Sequence, residues 1–90
     1  MAQIKVEKPS PEKLDSLGID KWSPWECDPS IFDWQYDSNE SAYILEGKVK
    51  VTTADGEQVE INKGDLVYFP SGLKCQWNVL EKIRKVYSFS

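Results

Sequence analysis

The chain predicts an all-β fold, an antiparallel sandwich or barrel with one short N-terminal helix. Three observations carry this. Short runs alternate apolar and polar residues with the period of a strand. Turn-forming residues punctuate these runs at close intervals, giving about eight or nine short strands. Asp55-Gly56 stands between two such runs, and that dipeptide is the strongest short-range hairpin signal because a type I′ turn needs positive φ at both central residues.

Taken in order, Gln3 to Glu7 alternates and is β-branched, so it reads as an edge strand that Pro9 ends. Ser10, Pro11 and Glu12 then start a helix as N-cap, first-turn proline and first-turn acid. Leu14 and Leu17 share one helix face, and Gly18 closes it. Asp20 to Pro29 holds Trp22, Pro24, Trp25 and Pro29; its prolines argue against a central strand, and the tryptophans are expected to clamp it as a loop onto the domain. Ile31 to Tyr36 places Phe32, Trp34 and Tyr36 on one strand face. Glu40 to Glu46 is apolar on both faces and ends in a turn or bulge at Glu46-Gly47. Lys48 to Thr53 points Val49 and Val51 inward, and Val59 and Ile61 return after the hairpin. Leu66 to Phe69 is a buried strand, and Pro70 to Gly72 turns. Leu73, Cys75, Trp77 and Val79 share the next inward face. Lys82 to Phe89 is the last strand, with Ile83, Lys85, Tyr87 and Phe89 on one side. Val49, Val51, Leu66, Tyr68, Trp77 and Tyr87 are expected in or near the core.

Composition narrows the function classes. Ninety residues are expected to form one domain over residues 1–90. Four tryptophans suit a barrel filled by large side chains. A net charge of −4 without a basic patch argues against nucleic acid and against anionic membrane. No stretch reaches the roughly 20 apolar residues of a membrane span, and the N-terminus lacks a signal-peptide core. Two distant cysteines do not make a disulfide framework, so a reducing cytoplasm is the expected location.

Two motif remnants, Glu40-x6-Gly47 and Gly64-x5-Pro70-x-Gly72, resemble the cupin motifs. The resemblance as a whole covers about Phe32 to Asn78, roughly half the chain. The resemblance implies a cupin-type barrel, or jelly roll, that is RmlC-like. It aligns Trp34, Tyr36 and Cys75 with the usual histidine ligands and Glu40 with the carboxylate ligand, all four pointing at one spot. Within the cupins the chain is similar to small proteins that share a domain type with (S)-ureidoglycine aminohydrolase. The segments that carry this are Tyr43-Ile44-Leu45-Glu46-Gly47, Gly64 to Gly72 and Cys75-x-Trp77. That enzyme's metal is held by Glu, His and Gln residues, a set not retained here.

The chain has no histidine, which excludes a three-histidine metal site, a Ser-His-Asp triad and any histidine base. No metal ligand set and no cofactor are expected. Glu40 is either a carboxylate with acid/base capacity or a structural one at the barrel mouth, satisfied by a tyrosine hydroxyl or a backbone N–H. Cys75 is either a thiol needing a nearby cation or a small apolar core residue. Tyr36 is the remaining catalytic candidate. Trp34, Tyr36, Glu40, Tyr43, Cys75 and Trp77 form the candidate pocket, unless the rings simply plug the barrel. The expected function is a non-metal module that binds a small molecule or acts as a homodimer. An alternative is an enzyme on a small nitrogenous or sugar-like substrate. Pairing of the Gln3–Glu7 edge with another chain is a third reading.

Overall fold

The computed structural model describes residues 4–89. Strand β1 (Lys5–Glu7) leads into helix α1 (Pro11–Leu17). The Ser10 hydroxyl accepts from the Lys13 N–H at 3.2 Å, and Gly18 closes the helix at φ 70°. Both caps stand where the sequence puts them. Gln3, the first residue of the expected edge strand, lies outside the described residues.

The remaining strands are β2 (Ser23–Cys27), β3 (Ser30–Gln35), β4 (Glu40–Thr53), β5 (Gln58–Asn62), β6 (Leu66–Phe69) and β7 (Lys74–Phe89). All described pairings are antiparallel. The main path runs β1-β6-β4-β7-β2, with β3 also on β7 and β5 also on β4. This is the all-β jelly-roll barrel with a short helix.

Two long strands do the work of four. The first half of β4 pairs with the last half of β7 (Glu40 with Phe89, Ile44 with Lys85), and its second half pairs with the start of β7 (Val49 with Val79, Thr53 with Cys75). Register shifts between Ile44 and Val49 separate the halves. Such bulges bend a strand and raise its twist, which lets one sheet curl over a single core. Gly47 sits in this bend at φ 99°. A Cβ there would collide with the Lys82 carbonyl oxygen and stand 2.7 Å from Ile83 Cα. Only glycine lets the two long strands approach this closely.

The core holds Ala42, Ile44, Val49, Val51, Ile61, Val67, Phe69, Val79 and Ile83. Leu66 and Trp77 are buried as expected, while Tyr68 and Tyr87 are half-buried. One expectation is corrected. Residues 23–27 of the expected loop form an edge strand on β7, with Trp25 opposite Lys85. Pro24 fits because an edge strand need not donate on its open side. Period-two alternation then turns Trp25 and Cys27 inward, half-buried, and Pro24 and Glu26 out.

Gly47→Ala combines positive φ with a backbone clash and should cost about 3 kcal/mol or more. Gly56→Ala has positive φ in open space and should cost about 1–2 kcal/mol. Urea melts of the two variants check this ordering.

Candidate functional site

Four segments converge at one end of the barrel. Glu40 opens β4, Lys85 lies in the last half of β7, Trp77 in its first half, and Trp25 on β2. Tyr36 follows β3 directly. Its backbone is clamped to the turn before β7: Tyr36 N–H donates to the Leu73 carbonyl at 2.9 Å, and Gly72 N–H donates to the Tyr36 carbonyl at 2.6 Å. The Asn39 side chain holds the same turn by accepting from Ser71 N–H at 2.8 Å. The Pro70–Gly72 turn therefore fixes where Tyr36 points.

These residues line a cavity of about 250 Å³, together with Phe32, Trp34, Tyr87 and Phe89. Trp34 and Phe89 are half exposed at its rim. Inside, the rings pack in an ordered series. Tyr36 stacks on Phe69 at 4.7 Å between centroids, Phe69 meets Trp77 at 5.8 Å, and Trp77 meets Trp25 edge-on at 5.9 Å. Such pairs contribute roughly 0.5–1.5 kcal/mol each beyond their buried area.

The polar element of the cavity is an ion pair. Lys85 Nζ donates to Glu40 Oε2 at 2.7 Å, with Lys85 5% and Glu40 4% exposed. The ammonium also lies 4.7 Å from the Trp77 ring centroid, 5.0 Å from Trp25, 5.5 Å from Tyr87 and 6.0 Å from Phe69. Ring quadrupoles replace part of the lost hydration. Burial nevertheless wins: it pulls the Lys85 pKa below its ordinary value, against the attraction of Glu40. Burial also drives the Tyr36 phenol far up, and the Glu40 charge adds to this. The Trp77 indole N–H is buried without a hydrogen-bond partner.

Of the candidate residues, Glu40, Tyr36, Trp34 and Trp77 are brought together. Tyr43 is not among the lining residues; alternation along β4 buries Glu40, Ala42 and Ile44 and leaves Tyr43 half-buried on the opposite side. Cys75 is buried but does not line the cavity. Its Sγ faces the Trp34 carbonyl at 3.7 Å, and burial pushes its pKa up to about 11. That makes it a protonated core thiol at neutral pH. The side chains that sequence reasoning missed are Lys85, Trp25, Phe32, Tyr87 and Phe89. Alternation with Ile83 and Tyr87 already placed Lys85 on the inward side.

A metal ion does not fit this cavity. Glu40 is its one carboxylate, and the Lys85 ammonium occupies the position beside it that a cation would need. Among the described residues no cluster of three or more His, Cys, Asp or Glu is suited to a metal.

Residues 14–87 match the model of the EutQ-like cupin domain family. A crystal structure of a DUF861 family protein from Thermotoga maritima is 58% identical, with a TM-score of 0.97 over 98% of this chain and 100% of that one. The structure of the Clostridium difficile EutQ protein gives 29% identity and a TM-score of 0.67 over 73% of this chain and 52% of that chain. A protein named acetate kinase EutQ, from Clostridioides difficile (strain 630), is 31% identical over 62 residues. The match spans 69% of this chain but only 39% of that protein.

The ion pair yields a clear thermodynamic cycle. Removing one partner, by Glu40→Leu or Lys85→Met, leaves a buried charge alone and should cost roughly 3 to 5 kcal/mol. The double variant should cost far less than the sum and approach the unmodified protein. Chemical denaturation of all four proteins measures the coupling.

Proposed function

The chain belongs to the EutQ-like cupin domain family, and on that footing we propose that it is a metal-free module that binds a small, largely apolar molecule in the cavity beside Glu40 and Lys85. One observation carries the reading: a small barrel, normally filled by its own side chains, keeps about 250 Å³ of aromatic-walled space lined by a buried ion pair. Mostly apolar walls with a few placed polar groups are the common form of a small-ligand site. The size suits one substituted ring, since an apolar cavity of about 150 Å³ takes benzene. The ion pair supplies the polar contact that would orient it.

The aminohydrolase chemistry suggested by sequence resemblance lacks its support. It requires several metal donors, and the cavity offers Glu40 alone among them. The absence of any membrane-length apolar helix among the described residues and the unpaired Cys27 and Cys75 are compatible with a cytoplasmic setting.

A second reading, self-association into a homodimer, is favoured by the open edge of β1. This strand pairs through Lys5–Glu7 with β6 and leaves Val6 exposed. Among the described residues no second strand pairs with β1, and an open strand edge invites a further strand.

Two measurements test these readings. Benzyl alcohol titrated into the protein should give a saturable change in tryptophan fluorescence and NMR shifts centred on Trp25, Tyr36 and Trp77. The same preparation should carry well below one equivalent of transition metal. A linear, non-saturating response would remove the binding reading. Light scattering at high micromolar concentration should give twice the chain mass; a monomer mass would remove self-association.

A further inference from the structure

Lys85 is the one amine in the cavity, and its setting is that of a reactive one. Lys85 lines the apolar cavity, and its Nζ is stripped of water among four aromatic rings, with a carboxylate at 2.7 Å. Among side chains, lysines desolvated in hydrophobic pockets are those that act as nucleophiles toward carbonyl groups. The other candidate nucleophiles fall away: Cys75 does not line the cavity, and the Tyr36 phenol is held protonated by burial.

We propose that this cavity captures a small aromatic aldehyde or ketone covalently, as an imine on Lys85, with Glu40 carrying the protons; the proposal rests on the binding reading above and adds a chemical step to it. The guest ring lies among Trp25, Phe32 and Tyr87, with its carbonyl carbon toward Nζ. Lys85 passes one proton to the Glu40 carboxylate along their hydrogen bond and becomes a neutral amine. The nitrogen lone pair forms the C–N bond as the carbonyl π pair moves to oxygen, and that oxygen takes a proton, giving a carbinolamine. Glu40 serves as the relay for the protons leaving nitrogen and arriving at oxygen. The C–O bond then breaks and water departs. In total, the ammonium and the carbonyl compound give a protonated imine and one water, with no oxidant or reductant. The product nitrogen keeps its positive charge, so it keeps Glu40 as its counter-ion and the four rings around it. Burial favours the first step by depressing the Lys85 pKa. Exclusion of bulk water favours the last.

The test is reductive trapping. The full chain is incubated with benzaldehyde at neutral pH and reduced with cyanoborohydride, and the benzyl adduct is mapped by peptide mass spectrometry. The expected result is one adduct, on Lys85, formed before exposed Lys5, Lys74 and Lys82 are modified. Lys85→Arg should lose it, and Glu40→Gln should slow trapping by at least about a hundredfold. Benzyl alcohol, which fits the same space but has no carbonyl, should compete. An adduct spread over exposed lysines with Lys85 unmodified would overturn the proposal, and this mapping on the unmodified protein decides even where a variant fails to fold. Benzyl alcohol binding without a Lys85 adduct overturns the capture step and leaves the binding reading standing. Failure of both overturns both.

Discussion

The buried Glu40–Lys85 pair is the constraint around which this end of the barrel is arranged. Two charges at 2.7 Å in a nearly dry site must be satisfied together or not at all. The two groups lie 45 positions apart, on β4 and β7, and the antiparallel register of those strands brings them within reach. Glu40 pairs across the ladder with Phe89 and Ile44 with Lys85, so the two charged side chains approach along the strand direction on one inward face. The rings of Trp25, Trp77, Tyr87 and Phe69 then do for the ammonium what water does at a surface. The result is a neutral, internally compensated site where a cupin-type barrel would otherwise gather metal ligands.

The bend in β4 is what makes this geometry possible. A straight β4 would pair with β7 as one flat ribbon and close over nothing. The bulges between Ile44 and Val49, with Gly47 pressed against Lys82 and Ile83, let the first half of β4 serve the ion pair and the second half serve the Val49–Val51 core. Burial of the apolar cluster supplies most of the stability, at about 25 cal/mol per Å² of apolar surface. The ion pair, whose burial costs much of what its attraction returns, adds little to that total.

Much of this was legible in the residues themselves. Alternation located β3 and β5; a short apolar run between turns located β6; the Ser10, Pro11 and Gly18 signals located the helix; and Glu46-Gly47 marked the bend. The motif spacing brought Trp34, Tyr36 and Glu40 to one place. The rest was hidden for physical reasons. A lysine in a strand ordinarily carries its charge to water, and nothing near Lys85 in sequence reveals a carboxylate 45 positions away. Pro24 masked β2, because a proline says that a strand is not central but not that it is absent. Cys75 failed as a site residue because its thiol turns toward the Trp34 carbonyl, away from Glu40's cavity, although the motif spacing aligned them.

The central claim is that Lys85 sits as a desolvated cation between Glu40 and four aromatic rings, and heteronuclear NMR of lysine side chains tests it most directly. The account predicts that the Lys85 methylene protons nearest Nζ are shifted strongly upfield by the rings, that its amine protons exchange slowly with water, and that it titrates below the ordinary lysine value. Lysine signals that all coincide with those of solvated side chains, with no slowly exchanging amine, would contradict it.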